Sequence, residues 1–174
     1  MIKFMLDIDP ATLSTAQQKG MFHGRVFTNP KVARAMKTIQ KHIEPFADKV
    51  RSTLDKELRE ADPHAGVKVR CIFRFAFPKS GTKKEKASWY EGMRVTSARY
   101  GDVENRYKHT GDSLVLAGAI PDDHFITLLT LRKVYTFKQP KIDFVLGVDE
   151  GCDLDGRAIV RTPKSTENAK ADQK

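Results

Sequence analysis

Between Gly66 and Pro78 the chain reads VKVRCIFRFAF. Val67, Val69 and Cys71 alternate with Lys68 and Arg70, and Phe73, Phe75 and Phe77 carry the same spacing onward. A period of two puts these apolar side chains on one face of a long strand. A strand with one apolar face must bury that face against other elements, so the rest of the chain has to supply a sheet around it and a covering layer.

The segments on either side can supply both. Residues 2–8 (IKFMLDI) predict a first strand, followed by a polar loop over 14–29 that contains Gln17, Gln18, Lys19, His23 and Arg25. Asn29-Pro30 is a helix start, with Asn as N-cap and Pro at the first helical position. Val32, Met36, Ile39 and Ile43 then fall on one side at helical spacing. Pro45 is expected to kink or break this helix. A second helical stretch over 46–61 carries Phe46, Val50, Leu54 and Leu58.

Beyond the long strand, Gly81 and Gly92 predict a flexible loop over 78–94. VTSAR (95–99) is expected as a short strand. A helix over 103–117 is bounded by Asp102 as its cap and by Gly118 at the left-handed C-terminal position. Residues 124–137, rich in β-branched and aromatic side chains, predict a strand. The turn Lys138-Gln139-Pro140 is expected to fold it back as a hairpin onto a last strand, 142–148. The order is β-α-α-β-α-β-β. This predicts a single α+β domain over 1–149, with a mixed β-sheet and helices packed on it, and a polar disordered tail over 150–174.

The chain has 174 residues, 40% of them hydrophobic, which suits one modest core. No apolar run is long enough to span a membrane, and Asp7 and Asp9 interrupt the apolar N-terminus, so a cytoplasmic setting is expected. Cys71 and Cys152 show no zinc-ligand spacing and read as reduced thiols. The net charge of +9 favours a polyanionic partner, nucleic acid above all; a generically basic protein is the alternative.

The chemistry concentrates in GDVENRYKHTGDSLVLAGAIPDD, residues 101–123. Asp102 and Glu104 stand two apart at a helix start. Lys108 follows one turn after Glu104, and Asp122-Asp123 lie beyond the far end of the helix. Phosphodiester hydrolysis needs a nucleophilic water and a neutralised phosphate; Mg²⁺ or Mn²⁺ on clustered carboxylates provides for both. A lysine alongside can stabilise the developing charge. Asp102, Glu104, Asp123 and Lys108 are the right types for that task. Their spacing alone is equally that of a capped helix, an i,i+4 ion pair and a proline turn.

Asp102-Val-Glu104-Asn105, Lys108, Asp112-Ser-Leu114, Ala117-Gly118 and Asp122-Asp123 together resemble the signature of the RusA family of Holliday-junction resolvases. GRVFTNPKVARAMKTI (24–39) resembles the family's segment leading into its first helix, and the likeness covers about residues 2–149. The resemblance implies Mg²⁺ held by Asp102, Glu104 and Asp123, an essential Lys108, and a homodimer that nicks opposing strands of a four-way junction. It also implies a role in DNA recombination and repair, often phage-encoded. Glu104 stands where the family has aspartate. It keeps the charge and moves the oxygens by about one methylene.

DNA contacts are expected from Lys79, Lys83, Lys84, Lys86 and Arg94, interleaved with Trp89 and Tyr90, in a segment that looks longer than in short family members. Lys19, Arg25 and Lys31 are candidates for the same surface. Either set could instead be solvated loop charge. His109 and His124 flank the acids and are expected to serve packing or surface roles. Leu114, Leu116, Ile120 and Phe125 are available for a dimer interface or for the monomer core. A branched-DNA-binding accessory protein with weak or no cleavage is the alternative to a nuclease.

Overall fold

The computed structural model describes residues 1–13, 19–22, 25–61, 65–97 and 100–149. The expected tail, Cys152, His23 and His64 lie outside them. The long apolar strand, β4 (Gly66–Ala76), sits inside a four-stranded mixed sheet. It pairs in parallel with β5 (Ile126–Thr136) and antiparallel with β6 (Lys141–Asp149). β1 (Ile2–Leu6) runs antiparallel along the outer edge of β6, so the order is β1-β6-β4-β5. Val67, Val69, Cys71, Phe73 and Phe75 are buried on one face, with Phe4, Leu6, Ile142, Phe144 and Leu146 beside them. Arg74 on the other face bonds Asp143, which also lies 3.7 Å from Lys141. This is the expected α+β domain, with helices on the apolar face.

The expected hairpin between the last two strands does not form, because β4 lies between them. Strands flanking a third are roughly 9–10 Å apart. Residues 137–140 bridge that gap past the C-terminal end of β4, where Phe137 stacks on Phe77 at 4.4 Å. β4 takes one of the two central positions of the sheet, and its parallel partner is reached through the helix that follows it.

Two helices were expected over 30–61, but there is one, α1 (Pro30–Glu60). Asn29 caps it, its side chain accepting from the Lys31 amide at 3.0 Å. Pro45 falls on the solvent face, so the carbonyl left without a helical partner faces water. Val32, Ile39, Ile43, Val50 and Leu54 form one continuous buried stripe across it. The polar loop expected over 14–29 holds a hairpin instead, β2 (Lys19–Phe22) and β3 (Arg25–Thr28); residues 14–18 are outside the described set.

The 78–94 loop contains a short helix, α2 (Lys83–Ala87). Thr82 and Glu85 close a capping box over it, at 3.2 and 2.7 Å. No strand forms at 95–97, and 98–99 are not described. Instead Gly92, at φ +83, turns the chain so that the Gly92 amide bonds the Tyr135 carbonyl, the Tyr135 amide bonds Met93, and the Val95 amide bonds Lys133. These bonds cover the outer edge of β5 from Lys133 onward.

α3 (Val103–Leu116) links β4 to β5. Gly118, at φ +76, closes it as expected: the Ala119 amide returns to Leu114 and the Gly118 amide to Val115, a Schellman motif. Ser113 bonds the Met36 carbonyl at 3.3 Å, seating α3 on α1. Arg106, only 4% exposed, donates to the carbonyls of Tyr100 (2.7 Å), Pro10 and Leu13 (3.3 Å), and its guanidinium lies 5.2 Å from the centre of the Phe75 ring. Lysine cannot reproduce that planar fork. Arg106→Lys is therefore expected to lose about 2–4 kcal/mol of stability in urea unfolding, as buried carbonyls lose their donors. A loss under about 0.5 kcal/mol would show that the fork is dispensable.

Candidate active site

α3 and the start of β5 enclose an open cavity of about 650 Å³. Helical spacing places two neighbouring stripes of α3 on its wall. Val103, Tyr107 and Gly111 form one; Glu104, Lys108 and Asp112 form the other. Asp123 closes one end, and Ile126, Leu129 and Leu131 of β5 form the apolar wall opposite.

Three of the four residues expected to act together, Glu104, Lys108 and Asp123, therefore share one space. Asp102 is not among the lining residues. Its carboxylate caps α3, accepting from the Glu104 amide at 3.2 Å. Asp122 is likewise engaged locally. It accepts from the His124 amide at 3.2 Å and meets the His124 ring at 2.8 Å, and these bonds hold its carboxyl down at about 2. Of the two adjacent aspartates, whose side chains also bond each other, the second is the one that lines the cavity.

Asp112 is the acid that sequence reasoning passed over, although it stands one turn after Lys108. It is half-buried. Burial raises its pKa and the charge of Asp123 adds to the rise, against the pull of His109 and Lys108. Tyr107 was also missed. Its hydroxyl is buried without a hydrogen-bond partner among the described residues, and burial together with Cys71, Asp123 and Asp112 pushes its pKa up. The ring lies against Gly111, where an added Cβ would come within 3.1 Å of it. Of the two histidines, His109 is buried in α3 and His124 pairs with Asp122.

The donor set around the cavity is hard carboxylate oxygen with one ammonium group, and that chemistry suits Mg²⁺ or Mn²⁺. Among the described residues, no three acidic, histidine or cysteine side chains stand close enough together to form a ready-made metal group. Glu104, Lys108 and Asp123 are exposed on the cavity wall.

A second cavity, of about 400 Å³, shares Val103 and Leu131 with the first. Together they make a trough along the edge of β5, whose second half is lined by Arg94, Arg132 and Lys133. Arg94 thus lines the cavity adjoining the acidic one; Arg132 was not foreseen. The other basic candidates lie elsewhere. Lys83, Lys84 and Lys86 are exposed on α2, Lys79 is exposed beyond the end of β4, and Lys31 is exposed in the first turn of α1. Lys19 and Arg25 belong to β2 and β3. Lys133 also reaches back to the Gly101 carbonyl at 2.5 Å, fixing the chain just before Asp102.

The strain at Asp112 gives a test. Its folded pKa lies above the unfolded value, so the folded state is the better proton binder between the two. Stability then falls as pH rises through that window and stays lower above it. In metal-free buffer at about pH 7.5, Asp112→Asn should melt a few degrees higher than the parent. The gap should close near pH 3, where both forms are neutral. A lower melting point at neutral pH would show that the carboxylate is held by favourable contacts instead.

A family model described as Endodeoxyribonuclease RusA matches residues 23–145, a span that contains all of α3, β5 and the cavity between them. No curated protein matches the sequence. The matched span is more than half of the chain and includes every acid and the lysine on the cavity wall: the chain belongs to the RusA endodeoxyribonuclease family.

Proposed function

We propose that the chain is a divalent-metal-dependent endonuclease that resolves Holliday junctions and related branched DNA by paired nicks, in recombination and repair. The observation that carries this reading is the shared cavity. Within the family-matched span it gathers Glu104, Asp112, Asp123 and Lys108 against one apolar wall, next to a trough lined by arginine and lysine.

Glu104 and Asp123 would hold the ion, with Asp102 joining if its free oxygen turns toward it. The ion, when bound, supplies Lewis acidity toward a phosphodiester and a nearby water. Lys108, between Glu104 and Asp112 on the same stripe, places an ammonium where charge builds on the phosphate. Arg94 and Arg132 neutralise backbone phosphates entering along the trough. Leu129, Leu131 and Ile126 limit water on the opposite wall, which strengthens the interactions of these charges.

A second reading is a junction-binding protein with weak cleavage. It is favoured by the lack of a ready-made three-acid group among the described residues and by the cap that engages Asp102. Cleavage of a synthetic four-way junction in Mg²⁺ decides between them. Asp123→Asn and Asp102→Asn are expected to abolish cutting while binding survives. Asparagine caps a helix about as well as aspartate, so Asp102→Asn should keep its stability. Lys108→Ala should slow turnover roughly 10²–10³-fold with little loss of affinity. Wild-type cutting rates in either aspartate variant would rule out the metal assignment.

Paired nicks call for two sites, and a two-fold dimer is the simplest source. Leu114 and Ile120, offered by the sequence for an interface, are buried in the monomer core, whereas Leu116 and Phe125 are exposed. Leu128 joins them on β5, at 47% exposure, and among the described residues no strand pairs with the outer edge of β5 before Lys133. This apolar edge suits a second copy. Light scattering should give about twice the 19.7 kDa chain mass, and Leu128→Lys should return the monomer. A monomer that still makes paired cuts would refute the dimer.

A further inference from the structure

The C-terminal end of β4 carries an aromatic stack that the cavity chemistry does not use. Phe77 is at its centre. Its ring centroid lies 4.7 Å from Trp89, 4.8 Å from Tyr135 and 4.4 Å from Phe137, with interplanar angles of 12°, 19° and 29°. Trp89 and Tyr135 already cover Phe77, so Phe137 is not needed as a lid. It nevertheless stands 63% exposed, and Tyr90 nearby in sequence is 62% exposed. The backbone presenting Phe137 is fixed on both sides: its amide donates to Glu91 Oε2 at 2.9 Å, and the Lys138 amide donates to Thr136 Oγ1 at 3.0 Å.

The charge in the segments around this ring is predominantly positive. Lys79, Lys83, Lys84, Lys86 and Lys138 are exposed in the segments that flank it. The acids among them, Glu85 and Glu91, are also exposed, but each is paired locally, Glu85 in the capping box and Glu91 with the Phe137 amide and Arg74. A flat, held aromatic face among ammonium groups disfavours a cationic or purely apolar partner and favours a π-face carried on a phosphate backbone.

We propose that Phe137, backed by Phe77 and Trp89, is a stacking platform for an unpaired nucleobase of the DNA substrate. This rests on the reading of the chain as a nuclease of branched DNA, where bases at the branch are open to unstacking. Phe137 lies six residues beyond Leu131, just past the end of the strand that lines the acidic cavity, about 20 Å away at ~3.3 Å per residue. A strand leaving the branch can thus rest a base on the platform while the scissile phosphate lies at the acids.

Trp89 is the only tryptophan of the chain, so the stack reports on itself. The full-length protein in EDTA is titrated with a labelled short oligo(dT) and with an abasic oligomer of equal length and charge. Oligo(dT) should bind roughly tenfold tighter and change the Trp89 emission, whereas the abasic oligomer should leave the emission unchanged. Phe137→Ala should erase the preference without weakening abasic binding, and Phe137→Tyr should restore it. Equal affinities in the wild type, an undiminished preference in Phe137→Ala, or unresponsive Trp89 emission would overturn the proposal. Junction cleavage in Mg²⁺, followed in parallel, separates the two readings. Cutting without base preference removes only the platform. Base preference without cutting removes the nuclease reading and leaves the platform standing.

Discussion

Arg106 joins four parts of the chain at one buried point. Its nitrogens reach the carbonyls of Pro10 and Leu13 in the turn after β1 and of Tyr100 ahead of α3, while its plane lies over Phe75 of β4. Burial lowers its pKa and the charge of Asp9 partly offsets this. A buried cation is costly unless its donors are matched, and here the matching acceptors are backbone. The guanidinium therefore fixes where the chain runs as well as which side chains touch. Asp102 and Glu104 lie within one turn of this anchor, so the mouth of the acidic cavity inherits its position from a residue outside the chemistry.

The same helix shows what such a site costs. The buried face of α3 carries Arg106, Tyr107, His109, Thr110 and Ser113 where an ordinary core helix would carry aliphatic side chains. Thr110 and Ser113 satisfy themselves on carbonyls one turn back. Asp112 has its pKa raised by burial, and the Tyr107 hydroxyl lacks a hydrogen-bond partner among the described residues. Both residues line the cavity, where a bound cation would favour the Asp112 carboxylate. A region that is locally unfavourable when empty is what a site organised for a charged ligand would show.

Much of this was legible in the sequence. The Asn29-Pro30 start, the Asp102 cap, the Gly118 stop and the alternation of 67–75 all act through local geometry, and each stands where its residues predict. The likeness of 101–123 to the family signature located the cavity wall, because an i,i+4 stripe on a helix needs no tertiary information. What failed was pairing. Periodicity identifies a strand without naming its neighbour, so nothing in 124–148 disclosed that β4 would part β5 from β6. Pro45 misled because its cost depends on which side of the helix faces water, and that is settled only by packing. Asp112 was quoted within the signature, but its weight comes from burial, which no spacing reports.

The separation of β5 from β6 bears on how the chain reaches this state. The two strands are joined by four residues, and a local hairpin between them would close in microseconds. Such a hairpin would have to open before β4, more than forty residues upstream, could insert. β4 in turn finds its parallel partner only through the long excursion over α2 and α3. The sheet is thus assembled largely from distant pairings, whose loop-closure entropy is spent before any contact repays it. In synthesis from the N-terminus, β4 emerges well before either of its neighbours, with its row of phenylalanines uncovered. α1 packs on β1 and β6, the two strands beyond it in the sheet. Early docking of α1 onto β1 would hold that strand in place for β6, making the long helix a template for the sheet as well as its cover.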